Sequence, residues 1–498
     1  MQRIGHEAGR LLAPRRSSPP APFSRARWPR RLAWAALGAL VAVVPALRMW
    51  GFTVDDALIS VRYARHLAAG VGWRFDAAGP TSDGVTPLPW PVVLAPLAGA
   101  EPLAVLARAK ALGLLASAAA GAALGAAIGR VGAAPWWGRA AALAILALSV
   151  PVAAHAVSGM ETALATALAT AAVLLVRRPR WCAIVAGTTA AFRPEMAAWA
   201  VTLAVCAGVA ARVRPARAAA GVALALAPFA CCALVRLAAW GRPAPLALLA
   251  KPGDATFGLT YAAVACVVTL APALVLAPFA LARSREALAI VLAASVHVAA
   301  IVVVGGDWMP YARLMVPVVP GLSYAAVLAA ARAHPLATAA RSLAAACLGV
   351  ALLGQGAVAD GRRVGADRRA LVMAARPALA PARCVAALDV GWVGAATEAD
   401  IVDLAGVTDL EIASLPGGHT SKRVDAILLR ARHVDALLLY APDGLPGGDV
   451  ARWLEASYPR VVEARLARDP VVARHFSATD WLPLGRRGGY VLLRVRSP

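Results

Sequence analysis

Two carboxylates, Asp55 and Asp56, stand side by side in VDDALISVRYARHLAAG at 54–70, directly after the first long apolar stretch. Neighbouring acids repel and split in pKa, so one can serve as a base toward a sugar hydroxyl while the other holds a cation or orients a substrate. Asp is also a good helix cap, and ALISVRYARHL is a helix it would cap. Further along, SGMET brings Glu161, which together with Ser158 also matches a capping box. FRPE brings Arg193 and Glu195 around Pro194, where an arginine suits a phosphate and an ion pair is the plainer outcome. Lys251 in AKPGDATFGLTY is one of only three lysines, with Lys110 and Lys422, in a chain that otherwise uses arginine. GGDWMPYARLMVP at 305–317 adds Asp307, Trp308, Tyr311 and Arg313 after a Gly-Gly turn. Interfacial aromatic belts account for the tryptophan and the tyrosine but not for the acid and the base.

The elements that must position these residues are apolar. Of 498 residues, 60% are hydrophobic and 15% charged, which places the chain among membrane proteins. A bilayer core about 30 Å thick takes about 20 apolar residues per helix. On that measure spans are expected near 32–48, 103–128, 140–157, 161–176, 181–192, 196–211, 218–235, 257–281, 287–304, 314–331 and 341–358. The proline-rich stretch 87–100 is expected to be interfacial or re-entrant. The net charge of +23 is carried by short arginine runs between apolar segments and by the first 31 residues. That is the pattern of loops retained in the cytoplasm, not of a nucleic-acid-binding surface. The basic start followed by Leu32 to Leu47 resembles a signal peptide without a small-residue cleavage site, so an uncleaved first helix is expected. Seven cysteines without a CxxC pair indicate neither a disulfide framework nor a zinc site.

The expected organisation is an all-α polytopic membrane domain of about 11 helices followed by a small α/β domain. A basic cytoplasmic tail occupies 1–31, the membrane domain 32–358 with an outer loop at 49–102, and an extracytoplasmic domain 359–498. In the last region strands are expected at 384–390, 400–407, 435–440 and 489–495, with a helix near 421–433. Counting spans from a cytoplasmic tail puts every polar motif on the outer side. Acids and bases gathered there would form one polar cavity suited to an anionic headgroup on a lipid tail. A divalent cation bridging an Asp and a phosphate is compatible with this, although no ligand spacing demands one, and the cofactor is left unknown.

VDDALISVRYARHLAAGVGWRF resembles a segment of bacterial GT-C glycosyltransferases such as the terminal arabinofuranosyltransferases of the mycobacterial cell wall. The order of SGMET, FRPE, the KPG/GLTY loop, GGDWMPYAR and DVGWVGAATEADIVDLAGVTD is also similar to that group, over most of residues 50–410; TSDGVTPLPW departs from it. The resemblance implies a GT-C-like catalytic membrane domain with the catalytic Asp, here Asp55 or Asp56, in the first outer loop. It further implies a polyprenyl-phosphate sugar donor, typically arabinofuranose, and a cell-envelope glycan or glycolipid acceptor. Arg193, Lys251 and Arg313 are then expected at the donor phosphate, with Glu161, Glu195, Asp307, Trp308 and Tyr311 around the substrates. A lipid or sugar transporter would instead carry polar groups at mid-membrane and inverted halves. A non-catalytic envelope assembly protein would use the same acids structurally.

Overall fold

A computed structural model of the chain describes residues 27–251, 253–276, 284–332, 334–353, 357–486 and 488–496, and is mostly helical with one small sheet. Most of the basic tail, and parts of the spans expected at 257–281 and 341–358, lie outside the described residues.

Among the described residues five helices are long and apolar enough to cross a membrane: Arg30–Arg48, Pro102–Arg130, Pro215–Trp240, Arg285–Val303 and Arg313–Ala330. A sixth crossing is available if Trp136–Ala147 and Val150–Ala156, bent by 57°, count as one. The break falls where Pro151 lacks an amide donor and disfavours helix at the residue before it, and Ser149 Oγ restarts the helix by accepting the Val152 amide at 3.5 Å. The segments expected at 161–176 and 196–211 are the shorter apolar helices Thr162–Leu174 and Pro194–Ala210, and 181–192 is the 14-residue helix Pro179–Phe192. The proline-rich stretch holds only the short helix Pro89–Leu94 and one 3-10 turn.

Glycine permits a close helix contact. Gly121 and Gly125 form a GxxxG step on Pro102–Arg130, facing Gly38 and the backbone of Trp34 on the first helix. A Cβ at Gly121 would sit 2.4 Å from the Gly38 carbonyl, and one at Gly125 would sit 2.1 Å from the Trp34 carbonyl. With only hydrogens between them, the two backbones gain dispersion contact that larger residues would forbid.

After the helix Ala357–Leu379 the chain builds a five-stranded sheet. Its strands are β1 (Cys384–Ala387), β2 (Asp400–Asp403), β3 (Ala436–Ala441), β4 (Phe476–Leu484) and β5 (Gly488–Val495), in the order β2-β1-β3-β5-β4. β1 runs parallel to β2 and β3, while β5 is antiparallel to β3 and β4. The four expected strands are present. The fifth, β4, breaks alternation with a register shift between Ala478 and Asp480 and carries Pro483, which an edge strand tolerates. The helix expected at 421–433 is shorter, Ala426–Ala431, capped by Asp425, whose side chain accepts the Leu428 amide at 2.9 Å.

One amphipathic helix, Asp55–Ala68, joins this α/β region to the apolar helices. Its Arg62 donates to the carbonyls of Phe75, Gly394, Thr397 and Ala399 and to Asp76, at 2.6–3.3 Å. Arg65 pairs with Glu398 at 2.9 Å. The approach to the helix Val390–Ala396 is closed by glycine, since a Cβ at Gly391 would meet the Asp55 carbonyl at 2.1 Å.

Replacing Gly125 by Leu is expected to lower the melting temperature of the protein in lipid nanodiscs by at least what about 2 kcal/mol of overpacking strain produces. Gly132→Ala, where no atom lies within 4 Å of the added methyl, is expected to leave it unchanged. Equal melting of both variants would dismiss the glycine seam.

Candidate functional site

The helix Asp55–Ala68 repeats every 3.6 residues, so adjacent positions point about 100° apart. Asp56, Ile59 and Ser60 therefore share a face separate from that of Asp55 and Arg62. The first face lines a cavity of about 510 Å³. Seven of the ten sequence candidates meet there: Asp56, Glu161, Arg193, Glu195, Lys251, Asp307 and Arg313. They come from five separate segments of the chain, with Val407 of the α/β region closing one wall.

Most of these charges are paired. Arg193, 4% exposed, donates from Nη1 to Glu161 Oε1 at 2.7 Å and from Nε to Glu195 Oε1 at 2.6 Å. Glu161 therefore does not close the capping box expected with Ser158; the Ser158 hydroxyl accepts the Met160 amide instead, at 3.3 Å. Arg313 Nε pairs with Asp307 Oδ2 at 2.7 Å. Burial opposes charge on Asp307, but Arg313, Arg193 and Lys251 together outweigh it and hold its carboxyl below the ordinary range.

What remains unpaired is informative. Arg193 Nη2 and Glu161 Oε2 are buried without a hydrogen-bond partner. Among the described residues the Asp56 carboxylate and the Lys251 ammonium make no side-chain hydrogen bond or ion pair, and both line the cavity. A cavity with one free acid, one free cation and a spare guanidinium N–H can accept a proton from a hydroxyl and donate to an anionic oxygen.

Asp55 is placed differently from its neighbour. Its oxygens accept the amides of Gly391 and Trp392 at 2.7 and 2.9 Å, and Arg368 lies 3.7 Å away. Instead of capping its own helix, or facing the cavity as a base, it ties the start of Val390–Ala396 to the membrane helices. Burial raises its pKa to about 6 against the opposing pull of Arg368, with Asp389 and Asp56 adding to the rise. Trp308 and Tyr311 also leave the cavity wall. Gly305, Gly306, Tyr311 and Ala312 all have positive φ, and this coiled turn sends Asp307 and Arg313 inward. Trp308 stacks on Phe257 at 4.3 Å, and Tyr311 meets Phe52 edge-on at 5.1 Å.

Two further groups, one lining the cavity and one outside its wall, were not among the sequence candidates. Arg236, near the end of the apolar helix Pro215–Trp240, lines the cavity and pairs with buried Asp83 at 2.8 Å. Burial lifts Asp83 to about 6 despite Arg236. The signal was present, as an arginine closing an apolar run and an acid inside TSDG, but nothing local connects positions so far apart. His419 tilts over Trp308 at 5.3 Å; burial, then Lys251, depress it to about 4 while Asp56 opposes. Among the described residues no three His, Cys, Asp or Glu side chains come together as metal ligands. Within the cavity wall Glu161, Glu195 and Asp307 are each engaged with arginine, which leaves Asp56 as a single unpaired donor to any cation.

A carboxyl whose folded pKa exceeds its unfolded value binds its proton more tightly when folded. Its stabilising share is therefore full below the ordinary carboxyl value of 3.8 and lost as pH rises through about 6. Asp55→Asn is expected to flatten the decline of melting temperature between pH 4 and 6, and an unchanged slope would contradict a desolvated Asp55. No family model, curated protein or solved structure matches this chain.

Proposed function

We propose that this protein is a membrane glycosyltransferase that moves a sugar, with arabinofuranose as the leading candidate, from a polyprenyl-phosphate donor to a cell-envelope glycan or glycolipid on the outer face of the membrane. The observation that carries the reading is the convergence of Asp56, Lys251 and the spare face of Arg193 on one cavity. In this reading the roughly 11-span, GT-C-like arrangement with an extracytoplasmic α/β domain is the scaffold.

The donor fits by its two chemistries. Phe229 and Ala233, on the little-buried apolar helix Pro215–Trp240, give the cavity an apolar flank that suits a lipid chain. Lys251 and Arg193 Nη2 supply uncommitted positive donors for the phosphate, while Arg313 acts through a charge already shared with Asp307. Asp56 takes the proton of the acceptor hydroxyl, whose oxygen bonds to the anomeric carbon as the bond to phosphate breaks. The polyprenyl phosphate leaves with the bonding electrons, held by Lys251 and Arg193. Positioning and charge stabilisation are then the main tasks of the protein. Glu161 and Glu195 hold Arg193 in place. Asp55, tied to Gly391 and Trp392, serves the scaffold and not the proton transfer.

Asp56→Asn is expected to reduce transfer of labelled arabinofuranose from a polyprenyl-phosphate donor by roughly 10²–10⁴-fold in nanodiscs. Asp55→Asn should retain most of the rate. Lys251→Ala should raise the donor KM more than it lowers kcat. Full activity in Asp56→Asn removes the proposed base, and absence of transfer by the wild-type protein with every lipid-linked donor favours an assembly role without catalysis.

A further inference from the structure

A second cavity, of about 480 Å³, lies on the other side of a thin partition from the first. Three chain segments face both ways: Gly84 lines the first and Ser82 the second, Val407 the first and Thr408 the second, Pro243 the first and Arg242 the second. The buried Asp83–Arg236 pair is the centre of the partition.

The wall of the second cavity is mixed in a way that selects a ligand class. Asp76, Asp409 and Glu411 supply carboxylates, and Arg432 bonds both Asp409 and Glu411. Asp76 is held by Arg62 at 3.2 Å. Arg242 differs from these. Its Nε and Nη1 are buried without a partner, as is the indole Nε1 of Trp240, and both residues line the cavity. Asp76 is neutralised by Arg62, and Asp409 and Glu411 share Arg432, so the wall offers carboxylate acceptors and guanidinium donors side by side. Such groups beside an aromatic ring match vicinal hydroxyls and the C–H face of a sugar.

We propose that this second cavity binds an uncharged saccharide, at a site separate from the cavity where transfer takes place. The binding does not depend on the glycosyltransferase reading. Arg242 and the carboxylates beside it grip the hydroxyls while Trp240 and Phe75 provide the apolar surface. The donor phosphate, in the first cavity, is kept apart from this site by the Asp83–Arg236 pair.

The test is calorimetric titration of the full chain in nanodiscs with α-1,5-arabinotetraose and, separately, cellotetraose. At least one is expected to bind, and Arg242→Gln, which removes no hydrogen bond or salt bridge among the described residues, should weaken that binding tenfold or more. Trp240→Phe should weaken it less than Trp240→Ala. Binding of neither tetraose, or binding indifferent to Arg242→Gln and Trp240→Ala, overturns the assignment. Transfer assays separate the two readings. Saccharide binding without transfer leaves this site standing and removes the transferase, whereas transfer without saccharide binding keeps the transferase and removes this site.

Discussion

Arg62 uses all five of its N–H donors, four on backbone carbonyls and one set on Asp76, while only 2% of it is exposed. A guanidinium taken out of water is costly unless every donor is met, so its neighbours are constrained as a set. The loop at Phe75 and Asp76, the end of the helix Val390–Ala396 and the residues leading into β2 must all be in place together. The helix Asp55–Ala68 thereby becomes the joint of the molecule.

That joint decides the site. With the α/β region fixed by Arg62 and by Asp55, Val407 and Thr408 come to rest against the cavity walls. Asp403 fixes the same turn, accepting the amides of Ala405, Gly406 and Thr408 and the Thr408 hydroxyl. Burial raises Asp403 to about 6, while bonds from Thr408 and Ala405 draw it back down. The sheet region is thus part of both cavity walls, and a change in it reaches the polar pocket through the turn Asp403 holds.

The cavity itself is built from buried ion pairs that share one design. Each arginine meets a carboxylate from a nearby or distant segment, as Arg193 does with Glu195 and Glu161, and buried charges persist because each is matched. Against this neutral background the unmatched groups, Asp56 and Lys251, stand out as those with chemistry to spare. The second cavity repeats the logic, with Arg432 and Arg62 satisfied and Arg242 left over.

The sequence by itself determined the apolar character of the chain, most helix positions, four of the five strands and the segments that supply the cavity. These follow from hydropathy, periodicity and turn residues, which are local properties. It also marked Asp55 and Asp56 without separating them. Their spacing is one residue, and only the packing of Val390–Ala396 on one side of their helix decides which acid becomes a scaffold contact and which faces the cavity. β4 was illegible because its bulge and Pro483 erase the alternation that marks a strand. Arg236 and Asp83 were illegible as a pair because 153 residues separate them. The pairs Arg193–Glu195 and Asp307–Arg313 fall within one short window, whereas Arg193–Glu161, the Asp55 contacts to Gly391 and Trp392, and the cavity walls join positions through space that no window along the chain contains.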